Sequence, residues 1–347
     1  MAATQTLPLA RAAARDSRQA VRIWLIVMAA LVFAMVMIGG ATRLTESGLS
    51  ITQWKPVTGV LPPMSAADWQ AEFDRYKQIP QYAQLNADMT LDGFKAIFWW
   101  EWAHRLLARF VGAAFIIPAL WFWATGALKG ALGRQVLVAT GFLALEPLVG
   151  WWMVSSGLSE RTEVAQERLA IHLLIAAAVF GTLIYAAVGL GAQRREAAGR
   201  GFIVSAALFA ALVYLQLGLG ALVAGLRAGW IYNTWPLMGD RFLPGEAFPA
   251  PALRALLDDA TTAQFLHRTI AYGVVVFALA QAVAAWRAGP PQLARRAAGV
   301  AAVALAQAAL GIVTLLTVVA LPVALAHQAV ALILFGLAVA HWRATQA

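Results

Sequence analysis

Residues 23–40 read IWLIVMAALVFAMVMIGG, an apolar stretch of eighteen residues without a charge. A transmembrane helix needs about 20 apolar residues to cross the roughly 30 Å hydrocarbon core of a bilayer. The apolar region of a signal peptide is shorter, about 7–15 residues, and ends at a cleavage site. The stretch therefore predicts a retained first transmembrane helix, preceded by a cytoplasmic N-terminal segment over residues 1–21.

The rest of the chain has the same apolar character. Hydrophobic residues make up 61% of the sequence and charged residues 12%, whereas a soluble domain carries about 25% charged residues. We therefore predict an all-α membrane protein with eight transmembrane helices in contact with the lipid bilayer. The predicted spans are 22–40, 95–124, 134–154, 167–190, 201–225, 262–285, 295–317 and 322–342.

The net charge of +9 comes largely from the short connections between these spans. Basic residues precede the first span and follow the second, fourth, sixth and eighth: Arg11, Arg15, Arg18, Arg22, Lys129, Arg134, Arg194, Arg195, Arg200, Arg287, Arg295, Arg296 and Arg343. This distribution is a topology signal and does not indicate a nucleic-acid partner. Both termini are therefore predicted to be cytoplasmic, with the long loops 41–94 and 226–261 on the outer side.

The two halves of the chain resemble each other. The second span opens with EWAHR at 101–105 and the sixth with QFLHR at 264–268, while the fourth and eighth spans carry a histidine at a matching place. An even number of spans in each copy gives both copies the same membrane orientation. We predict two tandem, parallel four-helix bundles, over residues 22–190 and 201–342, each with its long outer loop.

Four of the five histidines occupy matched places, one in each even-numbered span: His104, His172, His267 and His327. All four are predicted to lie at a similar depth near the outer leaflet. A polar side chain in a span is costly and usually faces the bundle interior. Each histidine could simply hydrogen-bond another helix, but duplicated pairs favour one ligand site per unit, between two facing imidazoles. The fifth, His341, is interpreted as an interfacial anchor at the cytoplasmic side.

The absence of cysteine excludes disulfides, thiolate metal sites and iron–sulfur clusters. Zinc requires three or four protein ligands, and copper remains possible. Heme fits two imidazoles best, because porphyrin iron takes only one or two axial ligands from the protein. Arg43, Arg105 and Arg268 are candidates to bind heme propionates, or are ordinary interfacial charges.

Glu101 distinguishes the two halves. It precedes His104 by three residues and therefore shares its helix face, whereas Gln264 stands at the matching place in the second half. A carboxylate beside only one histidine pair predicts that the first unit does chemistry and the second is auxiliary. The alternative is a favourable negative charge at the beginning of a helix, and the residues alone leave both interpretations open.

Several longer motifs resemble the heme A synthase family, from about residue 22 to residue 342. They are GGATRLT at 39–45, EWAHR at 101–105, GWWMV at 150–154, SGL at 156–158, RLA at 168–170, YNTWPLMGD at 232–240 and QFLHR at 264–268. The chain looks closest to the proteobacterial and mitochondrial branch, since it lacks the cysteine pairs of Bacillus-type members. One departure is Glu146-Pro147, where a Gln-Gly type segment is expected, and where proline should kink the helix.

The resemblance implies oxidation of the C8 methyl of heme O to a formyl group by two successive hydroxylations. It implies that His267 and His327 ligate a resident heme b, and that His104 and His172 receive the substrate heme. Glu101 would be the functional acid, active in proton transfer or in stabilising a cationic intermediate.

The resemblance also implies a multi-pass protein of the cell inner membrane. Its partners would be an unidentified electron donor, the farnesyltransferase that makes heme O, and further copies of the chain. Two alternatives of other classes are a bis-histidine membrane cytochrome for electron transfer and a heme transporter or chaperone.

Overall fold

The computed structural model describes residues 6–191 and 198–346. Within those ranges, eight helices are long and apolar enough to cross a membrane, which confirms the predicted all-α membrane protein. We label them α1 to α8: Thr6–Leu44, Leu91–Ala124, Gly130–Ser155, Gln166–Gly189, Arg200–Gly225, Ala260–Ala288, Pro291–Leu316 and Leu321–Thr345. Arg194 and Arg195 lie outside the described residues.

Side-chain caps fix where two of the histidine-bearing helices begin. The Thr90 hydroxyl accepts a hydrogen bond from the Gly93 amide before α2, and the Asp259 carboxylate accepts one from the Thr262 amide before α6. α8 begins with Pro322 in its first turn, where a missing N–H costs nothing. Pro147 is different, because it lies inside α3 and the helix continues through it.

α1, α4, α5 and α8 occupy the centre of the molecule, since they pack against one another and have larger buried shares than the other four. α2 packs on α1 and α3 on α4, while α6 packs on α5 and α7 on α8. The two peripheral helix pairs differ, because α6 and α7 pack closely along each other whereas α2 and α3 have few contacts. The side of the molecule that contains α2 and α3 is therefore the more open one.

The α4–α8 contact is reciprocal. A Cβ built on Gly181 of α4 would lie 2.9 Å from the ring of Phe335 of α8. A Cβ built on Gly336 of α8 would likewise lie 2.9 Å from the ring of Phe180 of α4. Helices in a membrane associate through such close packing at small residues. Phe180 follows His172, and Phe335 follows His327, by the same number of residues, so this contact places the two histidine helices symmetrically.

An ionic network joins the halves of the chain where α1 and α5 end. Arg43 pairs with Glu163 and donates to the Ala224 carbonyl, and Arg227 pairs with both Glu163 and Glu46. Three of the four charged residues belong to the first half and one to the second. The network therefore holds the end of α1 against the end of α5.

The first outer loop contains more structure than the sequence indicates. It forms short helices at Ala66–Tyr76 and Pro80–Leu85, and the first begins with a capping box between Ser65 and Asp68. Their aromatic side chains pack on the beginning of α2, where Phe94 is fully buried. The loop is thus a small folded cap over the outer end of the first half.

We expect the Gly336→Leu variant to be destabilised by about 1–3 kcal/mol, because added carbons would overpack against Phe180. The measurement is the thermal unfolding midpoint of the purified protein in detergent. Gly299→Leu is the matched control, since Gly299 is exposed and a Cβ there meets nothing within 4 Å. Equal midpoints for both variants would contradict the reciprocal packing.

Candidate functional site

The four matched histidines lie on α2, α4, α6 and α8, and the structure brings them together in pairs. The rings of His267 and His327 have centroids 6.5 Å apart with an interplanar angle of 82°. His104 and His172 lie close enough for their charges to interact. Each histidine is thus paired with the one predicted from the sequence.

The spacing of the second pair suits a single metal ion between two rings. With metal–nitrogen bonds of about 2.0–2.1 Å and about 1.1 Å from nitrogen to ring centre, imidazoles on opposite sides of one iron have centroids roughly 6.3 Å apart. The 6.5 Å separation of His267 and His327 agrees with this value. Porphyrin iron, which takes two axial protein ligands, fits this pair.

Each of the four histidines packs against a glycine on the preceding helix. A Cβ built on Gly39, Gly150, Gly220 or Gly311 would come within 2.8–3.2 Å of the imidazole of His104, His172, His267 or His327, respectively. These glycines were not predicted from the sequence, although their regular placement is a detectable signal. The missing side chains let each helix approach an imidazole closely enough to fix its position.

The imidazole of His104 is turned differently from the other three. At His172, His267 and His327 the atom nearest the glycine is Cε1, whereas at His104 it is Nε2. A half-turn of the imidazole exchanges Nε2 with Cε1, so this ring, like the side-chain amides, can be placed either way round.

Three of these histidines also have a polar side chain one turn before the facing glycine. Gln216 Nε2 lies 3.0 Å from Nδ1 of His267, and Gln307 Nε2 lies 3.0 Å from Nδ1 of His327. Glu146 Oε2 lies 2.7 Å from Nδ1 of His172. The sequence analysis did not identify the two glutamines, and it noted Glu146 only as a departure. The pattern of Gln or Glu four residues before Gly would have identified all three.

Iron ligation through Nε2 requires a hydrogen on Nδ1, so the nearby amide must present its oxygen. The Oε1 atoms of Gln216 and Gln307 are both buried without a partner, and amide orientation is an assignment that can be reversed. Nε2 of Gln307 lies 3.0 Å from Nδ1 and 3.4 Å from Nε2 of His327, so reversing this amide would place Oε1 beside the imidazole. Gln216 would lose its bond to the His267 carbonyl. The second pair therefore fits heme, with a local adjustment at Gln216.

Glu101 is buried, and both oxygens of its carboxylate accept hydrogen bonds. Its carboxylate accepts hydrogen bonds from the Ser50 hydroxyl at 2.7 Å and the Ile51 amide at 2.8 Å. Arg105 donates to the other oxygen, Oε1, from Nη2 at 2.6 Å and from Nε at 3.0 Å. The two bonds from Ser50 and Ile51 attach the loop around Ile51 to α2, one turn from His104, and the two from Arg105 lie within α2.

The arginines proposed for propionates all have protein partners. Arg105 donates to the carbonyls of Ile51 and Gln53, and Arg268, at the matching place, donates to those of Tyr232 and Thr234. Arg43 belongs to the ionic network already described. Each of these side chains thus has a structural role, and their assignment to propionates stays a prediction.

The fifth histidine does not lie at a lipid interface as predicted. His341 is buried, with 5% of its surface exposed. Among the described residues, no group of three or more His, Asp or Glu side chains could hold a metal ion. The paired imidazoles are therefore the arrangement to which a metal-containing group can be assigned.

Together these features define a polytopic α-helical membrane protein with two pairs of imidazoles at its helix interfaces. A family model for COX15-CtaA, described as cytochrome oxidase assembly protein, matches residues 22–339. The chain belongs to this family.

Curated relatives agree over nearly the whole length. The chain is 50% identical to a heme A synthase of Chelativorans sp. (strain BNC1), over 98% of this chain and 94% of that protein. It is 47% identical to a heme A synthase of Brucella anthropi, over 95% of this chain and 93% of that protein. A heme A synthase of Brucella ovis is 48% identical over 95% of this chain and 92% of its own length.

We expect Glu101→Gln to loosen the outer loop, because the amide cannot accept all the bonds that the carboxylate accepts and leaves Arg105 without its charge partner. Amide hydrogen exchange should become about tenfold faster or more in the peptide that contains Ile51, since a factor of ten corresponds to about 1.4 kcal/mol. Peptides from the second outer loop, which Arg268 holds, serve as the internal control. Unchanged exchange at Ile51 would show that the carboxylate does not hold the loop.

Proposed function

We propose that this chain is a heme A synthase, a membrane oxidoreductase that converts the C8 methyl of heme O to a formyl group by successive hydroxylations. Membership of the family and the identity with named heme A synthases support the reaction. The observation that carries the proposal is an imidazole pair spaced for porphyrin iron, together with a first pair that has the acidic residues Glu101 and Glu146 nearby.

In this proposal the chain forms two tandem four-helix units, residues 22–190 and 201–342, and each unit contains one heme site. His267 and His327 in the second unit hold a resident heme b. The close α6–α7 packing supports this assignment, because α6 carries His267 and α7 carries Gly311, which faces His327. A bound heme b supplies one-electron chemistry at its iron.

His104 and His172 in the first unit bind the substrate heme O. The sparse α2–α3 contact leaves this side more open, as exchange of a large apolar substrate with the bilayer requires.

Glu101 is the acidic residue of the reaction site. Its carboxylate accepts four hydrogen bonds, so a proton can move onto it only if Arg105 or Ser50 releases it. This favours a fixed negative charge that stabilises developing positive charge over a proton shuttle. Fixing the loop at Ile51 is its second role, because that loop covers the outer end of α2.

The cellular setting follows from the family. The chain is a multi-pass membrane protein, which we place in the cell inner membrane with both termini cytoplasmic. Its partners in the proposal are an electron donor, the heme O-forming farnesyltransferase and further copies of the same chain. The predicted position of all four histidines near the outer leaflet supports electron entry from the outer half of the bilayer.

The reaction is tested by incubating the purified protein with heme O, oxygen and a reductant system, followed by mass spectrometry of the extracted pigments. Hydroxylated and formyl products are expected from the wild type. Glu101→Gln should retain the resident heme spectrum and form at least about a hundredfold less product, in line with the loss of one electrostatic group in an active site. Redox cycling of the heme without any conversion of heme O would instead indicate a cytochrome.

Resident heme binding is tested with the glycine that faces His327. We expect Gly311→Ala to lose most of the heme b absorbance, because its Cβ would lie 2.8 Å from Cε1 of the imidazole. Gly299→Ala on the same helix is the matched control, since its Cβ meets nothing within 4 Å. Equal heme content in the two variants would refute the assignment of heme b to the second pair.

A further inference from the structure

Glu146 occupies a position that the chain repeats elsewhere with a neutral residue. Gln216 and Gln307 each precede the glycine facing a histidine by one turn, and each places its amide beside Nδ1 of that histidine. Glu146 has the same relation to Gly150 and His172. The first pair thus has a carboxylate where the second pair has amides.

The contact between Glu146 and His172 is close but bent. Oε2 lies 2.7 Å from Nδ1, yet neither Nδ1 nor the second oxygen, Oε1, has a well-aligned hydrogen-bond partner. Both side chains are largely buried, with 16% of Glu146 and 21% of His172 exposed. A buried carboxylate without partners is costly. A modest rotation of the imidazole, as on binding iron, would align Nδ1–H with the carboxylate.

A carboxylate constrains the ring more than an amide does. An ionised carboxylate can only accept, so Nδ1 must carry the hydrogen and Nε2 must present its lone pair. A carboxylate behind a metal-bound imidazole also makes that imidazole a stronger donor to the metal. An amide of the same shape has no net charge and can present either its oxygen or its nitrogen.

We propose that Glu146 is a positioning residue that acts through His172 and makes the substrate heme iron more electron-rich than the resident heme iron. This inference rests on the proposed function, since it assigns the substrate heme to the first pair. The negative charge stabilises ferric iron relative to ferrous iron at that site. Heme O bound there therefore has a lower reduction potential than it would have with glutamine at position 146.

The test is an anaerobic redox titration of the protein that carries heme b and has been loaded with heme O. Without oxygen no product forms, and the two hemes appear as two components. In Glu146→Gln the midpoint of the heme O component should rise while that of heme b stays unchanged. In Gln307→Glu, the matched variant, the heme b midpoint should fall instead. In Glu146→Asp the heme O midpoint should be lower than in Glu146→Gln.

An unchanged heme O midpoint in Glu146→Gln, with Gln307→Glu lowering that of heme b, would overturn the proposal. If Glu146→Gln binds no heme O, the reverse variant decides, and an unchanged heme b midpoint in Gln307→Glu would then overturn the proposal. Product formation by the wild type is measured separately in the same preparation. Wild type that converts heme O while Glu146→Gln shows no shift would refute this inference alone, whereas absence of conversion by the wild type would refute the proposed function.

Discussion

An imidazole in the hydrocarbon core of a bilayer has no water to hydrogen-bond, so its partners must come from the protein or from a ligand that the protein holds. Four such imidazoles make this requirement the central constraint on the fold. Each is packed against a glycine, and three have a Gln or Glu beside Nδ1. The placement of α1, α3, α5 and α7 is thus tied to the histidines of the helices that follow them.

The bilayer also determines how α1, α4, α5 and α8 are held together at the centre of the molecule. Lipid gives no hydrophobic drive for helices to associate, so close packing has to hold them together. The reciprocal insertion of Phe180 and Phe335 beside Gly336 and Gly181 provides it. Because these phenylalanines lie at matching distances from His172 and His327, the contact relates the two sites to each other.

Symmetry between the sites is broken by a few charged groups. Glu101 replaces the amide of Gln264, and Glu146 takes the place that Gln307 has in the second half. Both acidic residues lie beside the first pair. The looser α2–α3 contact is also on that side. In the proposed assignment, these features separate the site of the reacting heme from the site of the resident heme.

Much of the fold followed from the sequence, because an apolar run of about 20 residues has few structures open to it in a bilayer. The eight spans and the pairing of the histidines were predicted in this way. The short helices near Tyr76 were not, since their amphipathic pattern is brief and depends on packing against α2.

The partners of the site residues were harder to predict. An arginine at the beginning of a helix, such as Arg105, has the same sequence context whether it binds a loop carbonyl or an anion. Glu146 was noticed as a departure, but its contact with His172 requires the relative placement of α3 and α4, which residue patterns do not fix. Burial of His341 likewise depends on the helices around it.

The central claim is that the two histidine pairs have different roles. One pair holds a resident heme, and the other binds a substrate heme that exchanges. The most direct measurement is a cryo-EM map of the protein purified without added substrate, resolved well enough to place porphyrin iron. The account predicts iron between His267 and His327, with heme on His104 and His172 appearing only after heme O is added. A resident heme held by His104 and His172, with the second pair empty, would contradict it.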